Sequence, residues 1–95
     1  MKVELSGEAR AEVERADAWW RENRPAAPDL FANELDQALI ALEGAPGLGL
    51  RYEPKPGIRR LLLQRTSYHL YFLVQADRVS VVAVWSAYRG RGPAL

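Results

Sequence analysis

The stretch from Gly57 to Gly90, GIRRLLLQRTSYHLYFLVQADRVSVVAVWSAYRG, decides the fold. Leucine, β-branched and aromatic residues fill three runs of it, and short polar segments separate the runs. We predict strands from Gly57 to about Gln64, from Tyr68 to Gln75, and from Val79 to about Ser86. Because the two connections are too short for crossovers, these strands form an antiparallel meander. The third run is continuous in valine and alanine, which predicts a central strand buried on both faces.

The first half of the chain predicts a short strand and two helices. Lys2 to Leu5 alternates polar and apolar residues, as a short strand does. Ser6 is a favourable N-cap for a helix that runs to about Asn23. Two prolines among the next five residues interrupt that helix. A second helix starts between residues 26 and 29 and ends near Glu43, so the pair forms a helical hairpin.

The predicted order β-α-α-β-β-β defines a two-layer α+β fold. The helical hairpin packs on one face of a small, mainly antiparallel sheet. Residues 50–56 are too rich in proline for a central strand and predict a basic loop. We expect residues 1–95 to form a single domain. Its C-terminal tail, from about residue 90, contains glycine and proline and is expected to be flexible.

Composition narrows the class of protein. The chain has 95 residues, is 48% hydrophobic and contains no cysteine, which excludes disulfides and thiolate metal sites. No apolar run reaches the ~20 residues of a membrane span, and the N-terminus has no apolar signal core, so we expect a cytoplasmic protein. Residues 1–50 carry a charge of −5 and residues 51–95 a charge of +6. The basic second half is typical of a protein with an anionic partner, either nucleic acid or an acidic peptide, and equally of one in which an acidic helical surface balances a basic sheet edge.

An ordered set of motifs resembles the RelE/ParE superfamily of toxins from type II toxin–antitoxin systems. The set covers nearly the whole chain. In the first half it includes the strand and capping serine VELS, the helix ending Trp19-Trp20, the link 23–27 and the segment ALIALEGAPGLG. In the second half it includes the glycine-hydrophobic-arginine pattern Gly57-Ile58-Arg59, the aromatic strand 68–72, and the strand Val81–Trp85 followed by Tyr88 and Arg89.

The resemblance implies a RelE/ParE-like fold and a growth inhibitor held inactive by a cognate antitoxin, with which it forms a hetero-oligomer. ParE-like members poison DNA gyrase, whereas RelE-like members cut mRNA on the ribosome. The resemblance therefore leaves two targets, gyrase or ribosome-bound mRNA. A third interpretation is a toxin-like module that has lost toxicity and serves only to bind its antitoxin.

The resemblance also assigns site residues. For a metal-independent endoribonuclease the catalytic set is Arg59, which holds the phosphate, with Tyr88 and Arg89 at the C-terminal end of the sheet. Arg60 points away from Arg59 on a regular strand, so one of the two faces the helices or is an edge charge. The predicted residues for antitoxin or target binding are Lys55, Arg59, His69, Tyr71, Trp85, Tyr88, Arg89 and Arg91.

Departures from the RelE-like pattern favour the ParE-like interpretation. Ser86 stands where many relatives have a histidine directly after the tryptophan, and Lys2 and Lys55 are the only lysines. His69 is the only histidine, and it has no cysteine or second histidine to share a metal. We therefore predict no metal site and no cofactor.

Overall fold

The computed structural model describes all 95 residues as two helices packed on one face of a five-stranded sheet. The predicted α+β class is confirmed, and the structure adds one short strand. In chain order the elements are β1 (Lys2–Leu5), α1 (Gly7–Asn23), α2 (Leu30–Gly44), β2 (Leu50–Arg51), β3 (Arg59–Leu63), β4 (Tyr68–Val74) and β5 (Arg78–Ser86).

The sheet has the order β1-β5-β4-β3-β2. The strands β3, β4 and β5 form the predicted antiparallel meander, and β5 is central between β1 and β4. The strand β1 lies at the edge and runs parallel to β5, pairing Val3 with Val79 and Leu5 with Val81. The parallel pairing is possible because α1 and α2 return the chain across the sheet before the meander begins.

The strand β2 lies within the segment that the sequence predicts as a loop. Leu50 and Arg51 pair with Arg60 and Arg59 of β3. The preceding residue, Gly49, has φ of +82°, and a Cβ atom there would lie 2.5 Å from the carbonyl oxygen of Arg60. Only glycine fits so close to the neighbouring strand. The prolines that follow remove backbone donors and confine the strand to two residues at the edge.

Both helices begin and end close to their predicted limits. The Ser6 side chain caps α1 by accepting a 3.0 Å hydrogen bond from the Ala9 backbone nitrogen. The second helix begins at Leu30, slightly later than predicted, because turns occupy residues 25–29 and Asp29 takes the N-cap position. Neither helix has the length and apolar character needed to cross a bilayer.

The sheet is packed on both faces. On the helix side, the core is built around Phe31 and Leu42 of α2 and Leu70, Phe72 and Val81 of the sheet, all fully buried. On the opposite side, a smaller cluster contains Ile58, Tyr71 and Ala83, with four partly buried neighbours, Tyr52, Leu73, Val82 and Trp85. We call this second side the open face, because no helix covers it.

Candidate binding site on the open face of the sheet

Pairing across the strands brings basic and aromatic side chains together on the open face. Arg60 lies opposite Tyr71, Tyr71 lies opposite Ala83, and His69 lies opposite Trp85. Directly opposed residues of an antiparallel sheet project from the same face, so these side chains are neighbours. An arginine, a histidine and two aromatic rings therefore meet on one surface.

Ring contacts hold this cluster in place. The rings of Tyr52 and Tyr71 meet edge to face, with centroids 5.0 Å apart, and His69 packs edge-on against Tyr71 at 6.0 Å. The Arg60 guanidinium lies 5.4 Å from the Tyr52 ring centroid, and the Arg89 guanidinium lies 4.0 Å from a ring centroid of Trp85. These cation–π contacts orient the two arginines while leaving their N–H groups available to a ligand.

A small cavity of about 180 Å³ opens among these residues, between the strands and the segment 86–92. Three arginines line it: Arg60, Arg89 and Arg91. None of them has a carboxylate partner, because the ion pairs of the protein use only Lys2, Arg21 and Arg78 as cations. The cavity therefore carries positive charge that no acidic side chain neutralises, and it suits an anionic group.

The C-terminal segment 87–95 lies against the open face without forming regular secondary structure. The indole nitrogen Nε1 of Trp85 donates a 2.8 Å hydrogen bond to the carbonyl oxygen of Arg91. Gly92 sits so close to Tyr52 that a Cβ atom there would meet the phenol oxygen. Further along, the chain lines an apolar cleft of about 620 Å³ together with Leu73 and Val82 of the sheet.

Burial and charge set the protonation of the single histidine. Burial lowers the pKa of His69 below 6.5, and the positive charge of Arg60 lowers it further. The imidazole is therefore neutral at physiological pH and presents one donor and one acceptor nitrogen to a ligand.

Most of the predicted binding residues lie on this face. His69, Tyr71, Trp85, Arg89 and Arg91 line the small cavity. Lys55 lines the neighbouring apolar cleft.

Arg59 lies elsewhere. It is opposite the buried Phe72 and so belongs to the helix side of the sheet. Its Nη2 donates to the carbonyl oxygens of Gly47 at 2.7 Å and Gly49 at 2.9 Å, and its Nε donates to Leu48 at 3.3 Å. The guanidinium thus stabilises the α2–β2 loop, and its hydrogen-bond partners are backbone carbonyls of the same chain.

Tyr88 also lies outside the small cavity. The residue is 86% exposed and lines a separate cavity beside Trp19, Arg24 and Tyr68. Arg59 lies four residue steps along β3 from Leu63, which pairs with Tyr68 in the row where β5 ends at Ser86. These steps amount to about 13 Å along the strand. The structure therefore does not bring Arg59 together with Tyr88 and Arg89.

Two members of the site, Arg60 and Tyr52, are not in the predicted set of binding residues. The signal for Arg60 was present, because strand alternation requires Arg59 and Arg60 to face opposite ways. The choice between them depended on which face the helices cover. For Tyr52 the sequence contains no local signal of its position, because the path of the proline-rich loop decides that its side chain lies on the open face.

The fold and the site define a small two-layer α+β protein with a basic, aromatic binding face. A family model described as "ParE toxin of type II toxin-antitoxin system, parDE" matches residues 3–89. The chain belongs to this family of toxins, and the predicted membership of the RelE/ParE superfamily is confirmed.

A solved structure supports the same fold. The chain is similar to a structure titled "Chromosomal ParDE TA system from P. aeruginosa", with a TM-score of 0.77 and 16% sequence identity over 90% of this chain and 95% of that chain. No curated protein sequence matches the chain.

Proposed function

We propose that this type II toxin inhibits DNA gyrase and does not cleave mRNA. The observation that carries the proposal is the position of Arg59, whose guanidinium is bound to three backbone carbonyls on the helix side of the sheet. A metal-independent nuclease needs its phosphate-binding arginine beside its acid and base. The residues proposed for that chemistry are instead dispersed, whereas the open face offers a preorganised surface for binding a protein.

A cognate antitoxin is the proposed second partner. The similar ParDE structure is titled as a toxin–antitoxin system, and membership of the toxin family supports the same arrangement here. Three arginines without carboxylate partners and an adjoining apolar cleft suit a segment that is both acidic and apolar. We propose a hetero-oligomer in which this segment binds the open face, within the cytoplasm.

A supercoiling assay tests the gyrase proposal. Purified toxin should reduce supercoiling of relaxed plasmid by gyrase, and Arg60→Gln should weaken that inhibition at least tenfold. The matched control is Arg51→Gln, because Arg51 is exposed, is not in an ion pair, and lies on the helix side opposite Arg59. Full supercoiling at a large excess of folded toxin would refute gyrase as the target.

The nuclease alternative keeps one favourable observation, the exposed Tyr88 next to Arg89 at the end of the sheet. It predicts that mRNA is cut at ribosomal A sites, which primer extension on cellular RNA would detect. The third alternative, a non-toxic module, predicts normal growth when the protein is induced without antitoxin. Growth arrest with intact mRNA would support gyrase inhibition over both.

A further inference from the structure

A second groove runs between α1 and the end of β5, and it adjoins the cavity on the open face at Ser86 and Arg89. It consists of two adjoining cavities of about 400 and 220 Å³. The two share Trp19, Tyr68, Ser86 and Arg89. Tyr68 packs on the helix-side core, which places the floor of this α1–β5 groove on the side of the sheet that the helices cover.

The groove carries an excess of positive charge. Arg24 and Arg89 line the larger cavity, and Arg15 lines the smaller one. None of the three arginines has a carboxylate within ion-pair distance. The only acidic residue in the lining is Glu12, and its Oε1 accepts a 2.8 Å hydrogen bond from the Val84 backbone nitrogen. Three guanidinium groups therefore face one carboxylate that already has a partner.

Exposed aromatic rings stand beside these charges. Trp19 is 43% exposed and Tyr88 is 86% exposed, although both are large side chains with much apolar surface. The Arg24 guanidinium lies 4.9 Å from the Trp19 ring and 5.7 Å from the Trp20 ring, which orients it at the rim of the larger cavity. Tryptophan, tyrosine and arginine are the residues enriched at the energetic centres of protein interfaces.

We propose that the α1–β5 groove binds an acidic peptide segment of a partner protein, with an aromatic side chain between its carboxylates. The aromatic side chain enters the 400 Å³ cavity against Trp19 and Tyr68. The carboxylates pair with Arg24 and Arg89 at its rim. The proposal does not depend on the identity of the toxin's target.

Charge around the groove favours a peptide over a nucleic acid. A single strand of nucleic acid needs a continuous basic track along its backbone. Here the basic positions are few, Glu12 is part of the groove lining, and exposed Glu22 follows Trp19 by one turn of α1. These carboxylates would repel an extended phosphate backbone but leave room for a short segment whose charge is confined to two or three positions.

Fluorescence polarisation with a defined probe tests the proposal. The probe is a labelled peptide with one phenylalanine between two pairs of aspartates. Binding should be weakened about tenfold by Arg24→Gln and by Trp19→Ala, because each removes one anchor. The matched control is Arg10→Gln, since Arg10 is exposed on the opposite side of α1. Circular dichroism confirms that each variant is folded.

Probe variants separate the two chemical requirements. Replacing phenylalanine by alanine, or the aspartates by lysines, should reduce binding to a similar or greater extent. The proposal is overturned if the acidic probe does not bind at millimolar concentration, or if Arg24→Gln and Trp19→Ala bind it normally. It is also overturned if Arg60→Gln alone abolishes binding, because the probe would then lie on the open face. A third contrary result is that a ten-nucleotide single-stranded DNA binds more tightly than the acidic probe and loses that affinity in Arg24→Gln.

Discussion

Glu34 of α2 holds Thr66 in the turn between β3 and β4. Its Oε1 accepts hydrogen bonds from the Thr66 hydroxyl at 2.6 Å and the Thr66 backbone nitrogen at 3.0 Å. Its Oε2 accepts from the Arg65 backbone nitrogen at 2.7 Å. Thr66 is buried, and the next residue, Ser67, has φ of +62°, an uncommon value for a residue with a side chain. A helix carboxylate thus satisfies the donors of a strained turn 32 residues away.

Replacing this carboxylate by an amide should destabilise the fold. In Glu34→Gln, the side-chain NH₂ group cannot accept a hydrogen bond, so the Arg65 or Thr66 donors lose their partner. We expect the free energy of unfolding to fall by about 1–3 kcal/mol. Urea unfolding measures the change. Asp36→Asn on the exposed side of the same helix is the control, and an equal loss in both variants would contradict the assigned role.

Two glycines of the α2–β2 loop should respond differently to alanine. At Gly49, φ is +82° and a Cβ atom would lie 2.5 Å from the Arg60 carbonyl oxygen, whereas at Gly47 nothing lies within 4 Å. We expect Gly49→Ala to cost at least about 1–3 kcal/mol, because it combines backbone strain with a steric clash. Gly47→Ala should be close to neutral. Thermal unfolding of the two variants measures the difference. Similar midpoints for Gly49→Ala and Gly47→Ala would refute the close approach of Gly49 to Arg60.

Arg59 should respond to substitution through stability. Lysine keeps the charge but cannot reach the carbonyls of Gly47, Leu48 and Gly49 with one rigid fork. We expect Arg59→Lys to lower the free energy of unfolding by about 1–3 kcal/mol. The control is Arg51→Lys, because Arg51 is exposed and opposite Arg59 in the sheet. An unchanged unfolding midpoint in Arg59→Lys would contradict this structural role and would favour a role of Arg59 in binding.

His69 should make stability depend on pH. Burial, followed by the charge of Arg60, lowers the pKa of the folded imidazole below 6.5. The unfolded state then binds more protons as pH falls through 6.5, so stability is lost as the pH drops below that value. His69→Gln should flatten that part of the profile, as measured by urea midpoints at each pH. If the wild type and the variant lose stability in parallel, the decrease has another source.

The elements were predictable because their signals are local. The Ser6 cap, the prolines after Asn23 and the continuous apolar run of β5 each act over a few residues, and the structure has each of them as predicted. The strand β2 was missed for the opposite reason. Two residues carry no periodicity, and their pairing depends on Gly49 approaching a strand ten residues further along the chain.

Family membership also followed from the sequence, because the ordered motifs extend over nearly the whole chain and need no coordinates to be recognised. The assignment of Arg59 to a phosphate site came from the resemblance alone and stays a prediction. Which of Arg59 and Arg60 faces the helices depended on the tertiary structure, and Arg60 is the one on the open face.

The sequence by itself determined the helices, the meander and the separation of charge between the two halves, since hydrophobic periodicity, capping and turn chemistry are properties of neighbouring residues. Only the tertiary structure decided where the charges meet. Arg60, Arg89 and Arg91 converge on one cavity, while Arg24 and Arg89 flank another. Such groupings arise from strand register, the side of the sheet that α1 and α2 occupy and the path of the C-terminal segment, none of which a local pattern encodes.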